Sequence, residues 1–209
     1  MSLDGKFKDL LNNLAIRNIV RNTLVTIILI AVLWIFLRPC EDSSLAKSNN
    51  RMYKARNYKT AEALALLEEI SNDFVEVLTD ANPTYGLILK KRLTSTSFIE
   101  IDEDGVWAWN DSKGKVLAFR FYKSKNTLEL ELPDEQICSL LHELAHSVAM
   151  EWGHDAEFQT INCYFQVLKY PDGTSVKQHY IDLLMNLELY AGAQRNPPGV
   201  NCHAECHTN

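Results

Sequence analysis

Leu141-His142-Glu143-Leu144-Ala145-His146, followed by Gly153-His154-Asp155-Ala156-Glu157-Phe158, is the stretch on which the reading of this chain turns. Residues four apart on a helix lie one above the other on one face, so His142 and His146 can point at a single ion. Glu143 lies next to them, placed to polarise a water on that ion rather than to bind the ion itself. The arrangement is H-E-x-x-H, which reads as two zinc ligands plus a general base. Upstream, Pro133-Asp134-Glu135 reads as a helix start, with proline in the first turn and acids near the positive end of the helix dipole. Ile137, Leu141, Leu144 and Val148 recur at helical spacing and give a core-facing stripe. The histidines flank that stripe, which places them at the edge of the core, facing a cleft. Gly153 is expected to break the helix just before His154, so that a turn brings this histidine back over the same face as a third ligand. Three protein ligands and one open position describe a catalytic zinc site, whereas a structural site is closed by four.

HELAH followed by GHDAEF resembles the zincin peptidases of the WLM and SprT-like group. In that group a third histidine, in a G/P-H-x-x-x-F context, completes the metal site after a short turn. The seven residues between His146 and His154 are more than many WLM members have and closer to some SprT-like ones. The tail from Arg195-Asn196-Pro197 to Cys202 is similar to short WLM-like forms from large DNA viruses of eukaryotes. The resemblance covers residues 128–168 with specific motifs and extends more loosely back to Ala61. It implies a zinc metallopeptidase acting on a protein or peptide substrate, with Zn2+ on His142, His146 and His154 and with Glu143 catalytic.

At the other end, residues 24–37 (LVTIILIAVLWIFL) form an apolar run broken by one threonine and bracketed by Arg21 and Arg38. With Ile19 and Val20 included and the arginines reaching the interfaces, residues 19–38 are long enough for a transmembrane anchor. A cleaved signal peptide and a buried helix are the rivals. Against the first, Leu37-Arg38-Pro39-Cys40 offers no small-residue cleavage site. Against the second, a run apolar on every side is hard to bury in a small domain. Basic residues flank the run on both sides, so orientation stays open. Phe7, Leu10, Leu11 and Leu14 make residues 1–18 a candidate amphipathic interfacial segment. Residues 39–58, poor in large apolar side chains at first and rich in Ser and Asn, read as a linker.

Residues 59–195 then read as one α+β, zincin-like domain: a short mixed or antiparallel sheet with three to four helices. Thr60 is a candidate cap for a helix carrying Leu66, Ile70, Phe74, Val77 and Leu78, which Asn82-Pro83 ends. Four strands are expected, at residues 97–101, 106–109, 115–122 and 127–132, with turn chemistry around Gly105 and Gly114. In the last, Leu128, Leu130 and Leu132 alternate with Glu129 and Glu131, which reads as one buried and one wet face. From the resemblance, this strand would be the edge that holds an extended substrate, although an ordinary solvated strand fits the pattern equally well. Helices over residues 157–170 and 175–190 complete the domain.

Other candidates are weaker. His179 can be a ligand or a packing histidine, and Asp155 and Glu157 suit the first turn of the next helix better than a metal. A transition-state donor is not assignable among His179, Tyr180 and Tyr190. Cys202, His203, Cys206 and His207 in the tail, residues 196–209, are soft ligands too close together for two separated ligand pairs, so a flexible end or one disulfide is expected there. Five cysteines, an odd and scattered set, suggest reduced thiols. The net charge of −6 argues against broad nucleic-acid binding. That weighs against a DNA–protein crosslink protease, an alternative the resemblance brings. A non-catalytic membrane or virion component keeping a zincin fold is the other alternative, and Glu143 argues against it because a purely structural site has no need of a base.

Overall fold

The computed structural model describes residues 45–48, 51–101, 103–124 and 126–193. The chain divides into two compact units, Met1–Asp42 and Ser43–Asn209, and everything described belongs to the second. The amphipathic segment at 1–18, the expected anchor at 19–38 and the Cys/His tail at 196–209 lie outside the described residues. Among the described residues, no helix is long and apolar enough to cross a membrane.

The architecture is mixed α+β. Strands β1 (Leu45–Ser48) and β2 (Arg51–Lys54) form an antiparallel hairpin, so much of the stretch expected to be linker belongs to the sheet. Only Tyr53 of β2 turns into the core, and one inward residue in a run of polar ones leaves no alternation to detect. Helix α1 (Tyr58–Ala81) follows. Its cap is Asn57 rather than Thr60: Asn57 Oδ1 accepts from the N–H groups of Lys59 and Thr60, and Thr60 Oγ1 accepts from the N–H of Asn57. Each residue thus satisfies a donor that the helix leaves open.

Asn82-Pro83 does end α1, and it also starts α2 (Pro83–Leu93), with Asn82 as its cap and proline at its first position. The two helices meet closely at Gly86, where an added Cβ would stand 2.4 Å from Thr79 Cα. Strands β3 (Ser97–Glu100), β4 (Ala108–Asp111) and β5 (Val116–Phe119) complete a mixed sheet of order β1-β2-β3-β5-β4. The β2–β3 and β3–β5 pairs are parallel, and β4 pairs antiparallel with β5, leaving β4 on one edge.

The expected fourth strand at 127–132 does not join this sheet. It folds back on residues 121–123 through a single bridge, Tyr122 to Leu130, with Leu128 84% exposed. Its polarity is also reversed at Glu131, which is buried and paired with the equally buried Arg120 at 2.6 Å. A charge partner remote in sequence overrides the alternating pattern.

Helix α3 (Pro133–Val148) starts where expected, with Glu135 accepting the N–H of Leu132 at 3.1 Å. Ile137, Leu141, Leu144 and Val148 are all buried. Helices α4 (Ala156–Val167) and α5 (Val176–Met185) follow, and then a 3-10 turn at Glu188–Tyr190. Helix α1 packs on the first three strands and on α2, while α3 packs on β4, β5, α4 and α5. Phe74, Phe165 and Tyr180 fill the space between helices, Phe74 meeting Phe165 edge-on at 4.9 Å. Cys138 of α3 and Cys163 of α4 are disulfide-bonded, which corrects the expectation of reduced thiols for these two. The helices lie side by side there, with Gln166 donating to the carbonyl of Cys138 at 3.2 Å.

Candidate metal centre

Helical spacing brings His142 and His146 onto one face of α3, their rings 4.9 Å apart and half-buried. The helix ends at Val148, earlier than Gly153 suggested, and residues 149–153 carry the chain round to His154. His154 Nε2 stands 3.1 Å from His142 Nε2 and 3.1 Å from His146 Nε2. Two nitrogens bound tetrahedrally at zinc's usual 2.0–2.1 Å stand about 3.3 Å apart, so the three ring edges fit one ion. A neutral imidazole has one lone pair, so His154 Nε2 can accept from only one of its two neighbours; a shared cation satisfies all three. Among the described residues these are the ones brought together as a possible metal cluster.

Phe158, on the first turn of α4, packs the site from behind. It is fully buried, stacks on the His146 ring at 4.0 Å and 21°, and meets His142 and His154 edge-on at 4.8 Å each. Burial, reinforced by nearby His154 and Lys113, lowers the His146 pKa to about 4. The ring is therefore neutral near pH 7, as a ligand must be.

Glu143, next to His142 in the helix, is 5% exposed. Burial pushes its pKa up to about 8. With His142 and Ser139 it lines a cleft of about 280 Å³ whose opposite wall is Gly105, Val106, Trp107 and Ala108, the approach to edge strand β4. The edge next to the histidine helix is therefore β4 rather than residues 127–132. Asn110 of β4 ties the two elements together: its Nδ2 donates to the Glu143 carbonyl and to Ser147 Oγ, both at 2.7 Å.

The weaker candidates are placed elsewhere. Asp155 caps α4 by accepting from the Phe158 N–H at 2.8 Å, and Glu157 accepts from the Met150 N–H at 3.1 Å. The His179 ring packs against Tyr170 and Tyr180. The Tyr180 hydroxyl donates to Asp73 at 2.7 Å, and Tyr190 is fully buried, so neither tyrosine hydroxyl serves the cleft. Sequence reasoning missed Asn110, Lys113 and Trp107. The first two sit in a polar stretch around Gly114 that reads as an ordinary exposed turn, and nothing local marks their inward direction. Scans against protein-family models, curated proteins and solved structures find no match to this chain.

Proposed function

We propose that the domain is a zinc-dependent metallopeptidase, held at a membrane by residues 19–38 and acting on protein or peptide substrates. The observation that carries this reading is the convergence of the three Nε2 atoms, each 3.1 Å contact meeting at His154, with a buried carboxylate in the adjoining cleft. His142, His146 and His154 would hold the ion, which when bound supplies Lewis acidity toward a peptide carbonyl and its attacking water. Glu143 accepts the proton that this water loses. The same carboxyl, returned to its protonated form by that step, would pass the proton to the departing amine. The free edge of β4 offers main-chain groups to an extended peptide, and Trp107 and Val106 flank the side chain lying in the cleft.

The test uses the full chain purified in detergent, with zinc content measured alongside hydrolysis of a fluorogenic peptide library. About one zinc per chain is expected, with much less in His154→Ala. Glu143→Gln should keep its zinc and lose roughly 10²–10⁴-fold in turnover. A folded chain that stays metal-free in excess zinc refutes the metal site. Full zinc with no cleavage in any library refutes the peptidase.

A further inference from the structure

His142 and His146 are fixed by a helix, but His154 is on neither helix nor strand and is solvent-exposed. Its position depends on residues 149–153, and that segment is gripped from the sheet. Lys113 Nζ donates to the carbonyl of Ala149 at 2.9 Å and also to that of Glu151. The same ammonium sits 4.6 Å from the centre of the Trp152 ring. Three points of contact, at residues 149, 151 and 152, thus fall between the last turn of α3 and the ligand. On the far side, Glu157 ties down the Met150 N–H.

Lys113 is unusual in two ways. It is only 6% exposed, where lysines are almost always solvated. It also lies in the β4–β5 turn with Ser112 and Lys113 at φ of 53° and 57°, a left-handed backbone that such residues rarely adopt. That backbone sends the side chain inward beneath the loop. Gly114, at φ 97°, lets the turn close against α3, where an added Cβ would stand 2.9 Å from Ser147 Oγ. Burial, and then Arg92, work against the ammonium, while Glu151, Glu157 and Asp155 favour it. All three acids belong to the gripped segment or to the start of α4.

We propose that Lys113 is the positioning residue for the third metal ligand, fixing residues 149–153 so that His154 Nε2 meets His142 and His146. The proposal rests on the zinc site described above. A lysine that merely stabilised the fold would lower the melting temperature of every variant alike. One that acts through His154 makes a sharper pattern.

The experiment is a zinc competition titration against a chromophoric chelator on the full chain, with circular dichroism as the check of folding. Lys113→Met should weaken zinc binding about 10–100-fold, the range for groups that orient a ligand. Lys113→Arg, which keeps charge and donors, should recover most of it. In the His154→Ala background, Lys113→Met should change zinc affinity little, because the ligand it positions is gone. If Lys113→Met does not fold, Lys113→Gln, which retains one donor, carries the same comparison. Unchanged zinc affinity in the folded variant, or an equal loss with and without His154, overturns the proposal while leaving the zinc site standing. A wild type that binds no zinc overturns both. Zinc binding that depends on Lys113 without peptide cleavage overturns the peptidase alone.

Discussion

The Asn110 side chain bridges edge strand and histidine helix: its amide donates to the Glu143 carbonyl at 2.7 Å, and its oxygen accepts the Gly114 N–H at 2.6 Å. One residue thereby ties β4 to the helix at Glu143 and closes the β4–β5 turn. Replacing it with Ala removes the acceptor of the Gly114 N–H and the donor shared by the Glu143 carbonyl and Ser147 Oγ, which keep only their bond to each other at 3.2 Å, and should cost about 2–3 kcal/mol. Asn110→Asp should be worse at neutral pH, because a carboxylate oxygen would face the Glu143 carbonyl with no hydrogen to donate. Urea unfolding midpoints check the order. Asp as stable as wild type would mean that the amide donors are not what holds the strand.

Phe158 links the stability of the core to the shape of the candidate metal centre. Its ring touches all three imidazoles and is itself fully buried. Truncation to Ala should cost about 3–5 kcal/mol and leave the His146 ring free to tilt. Phe158→Leu should restore much of the stability but less of the zinc affinity, since an aliphatic chain fills the space without the flat face that His146 stacks on. Thermal melts of metal-free protein, set beside zinc titrations, separate the two effects. Parallel recovery of both in Phe158→Leu would show that volume alone matters.

What could be read from the sequence was what local geometry dictates. Pro133, the acids behind it and the Ile137–Val148 stripe define α3, and four-residue spacing then fixes which face His142 and His146 share. His154 was within reach because it lies next to a recognisable pattern. What could not be read was set by partners distant along the chain. Glu131 turns inward because Arg120 waits there, eleven residues back, so the alternation over 127–132 misleads. Lys113 and Asn110 look like turn residues because their acceptors are carbonyls more than thirty positions away. The hairpin at 45–54 buries one side chain of β2 and leaves no periodic trace.

The Arg120–Glu131 pair holds the 121–131 arm against the start of α3, and Gln136 adds a bond to the Arg120 carbonyl at 2.5 Å. Both charged side chains are nearly inaccessible, so removing one strands the other. Glu131→Leu should destabilise by about 3–5 kcal/mol, while Arg120→Met with Glu131→Leu should recover part of that loss. Burial raises the Glu131 pKa against the pull of the Arg120 guanidinium, and nearby Glu135 adds to the rise. The double-mutant cycle is read from guanidinium unfolding. A double variant less stable than the sum of the singles would contradict this account.

The disulfide-bonded Cys138 and Cys163 sit on the two helices that carry the site, α3 with His142 and His146, α4 with Phe158. A bridge between them closes a loop of roughly 25 residues, for which chain entropy gives about 3–3.5 kcal/mol of stabilisation. That loop contains all three histidines. Reductant should therefore lower the unfolding free energy by about this amount and the midpoint with it, and the Cys138→Ser/Cys163→Ser variant should show the same lower midpoint with no further response to reductant. Zinc stoichiometry should persist in the folded double variant, because the imidazoles are aligned by the α3 backbone, Phe158 and the 149–153 loop rather than by sulfur. Peptide mapping without reduction gives the pairing directly. A wild type whose midpoint ignores reductant, with both thiols alkylated in the folded state, would show that the two helices are held by packing alone.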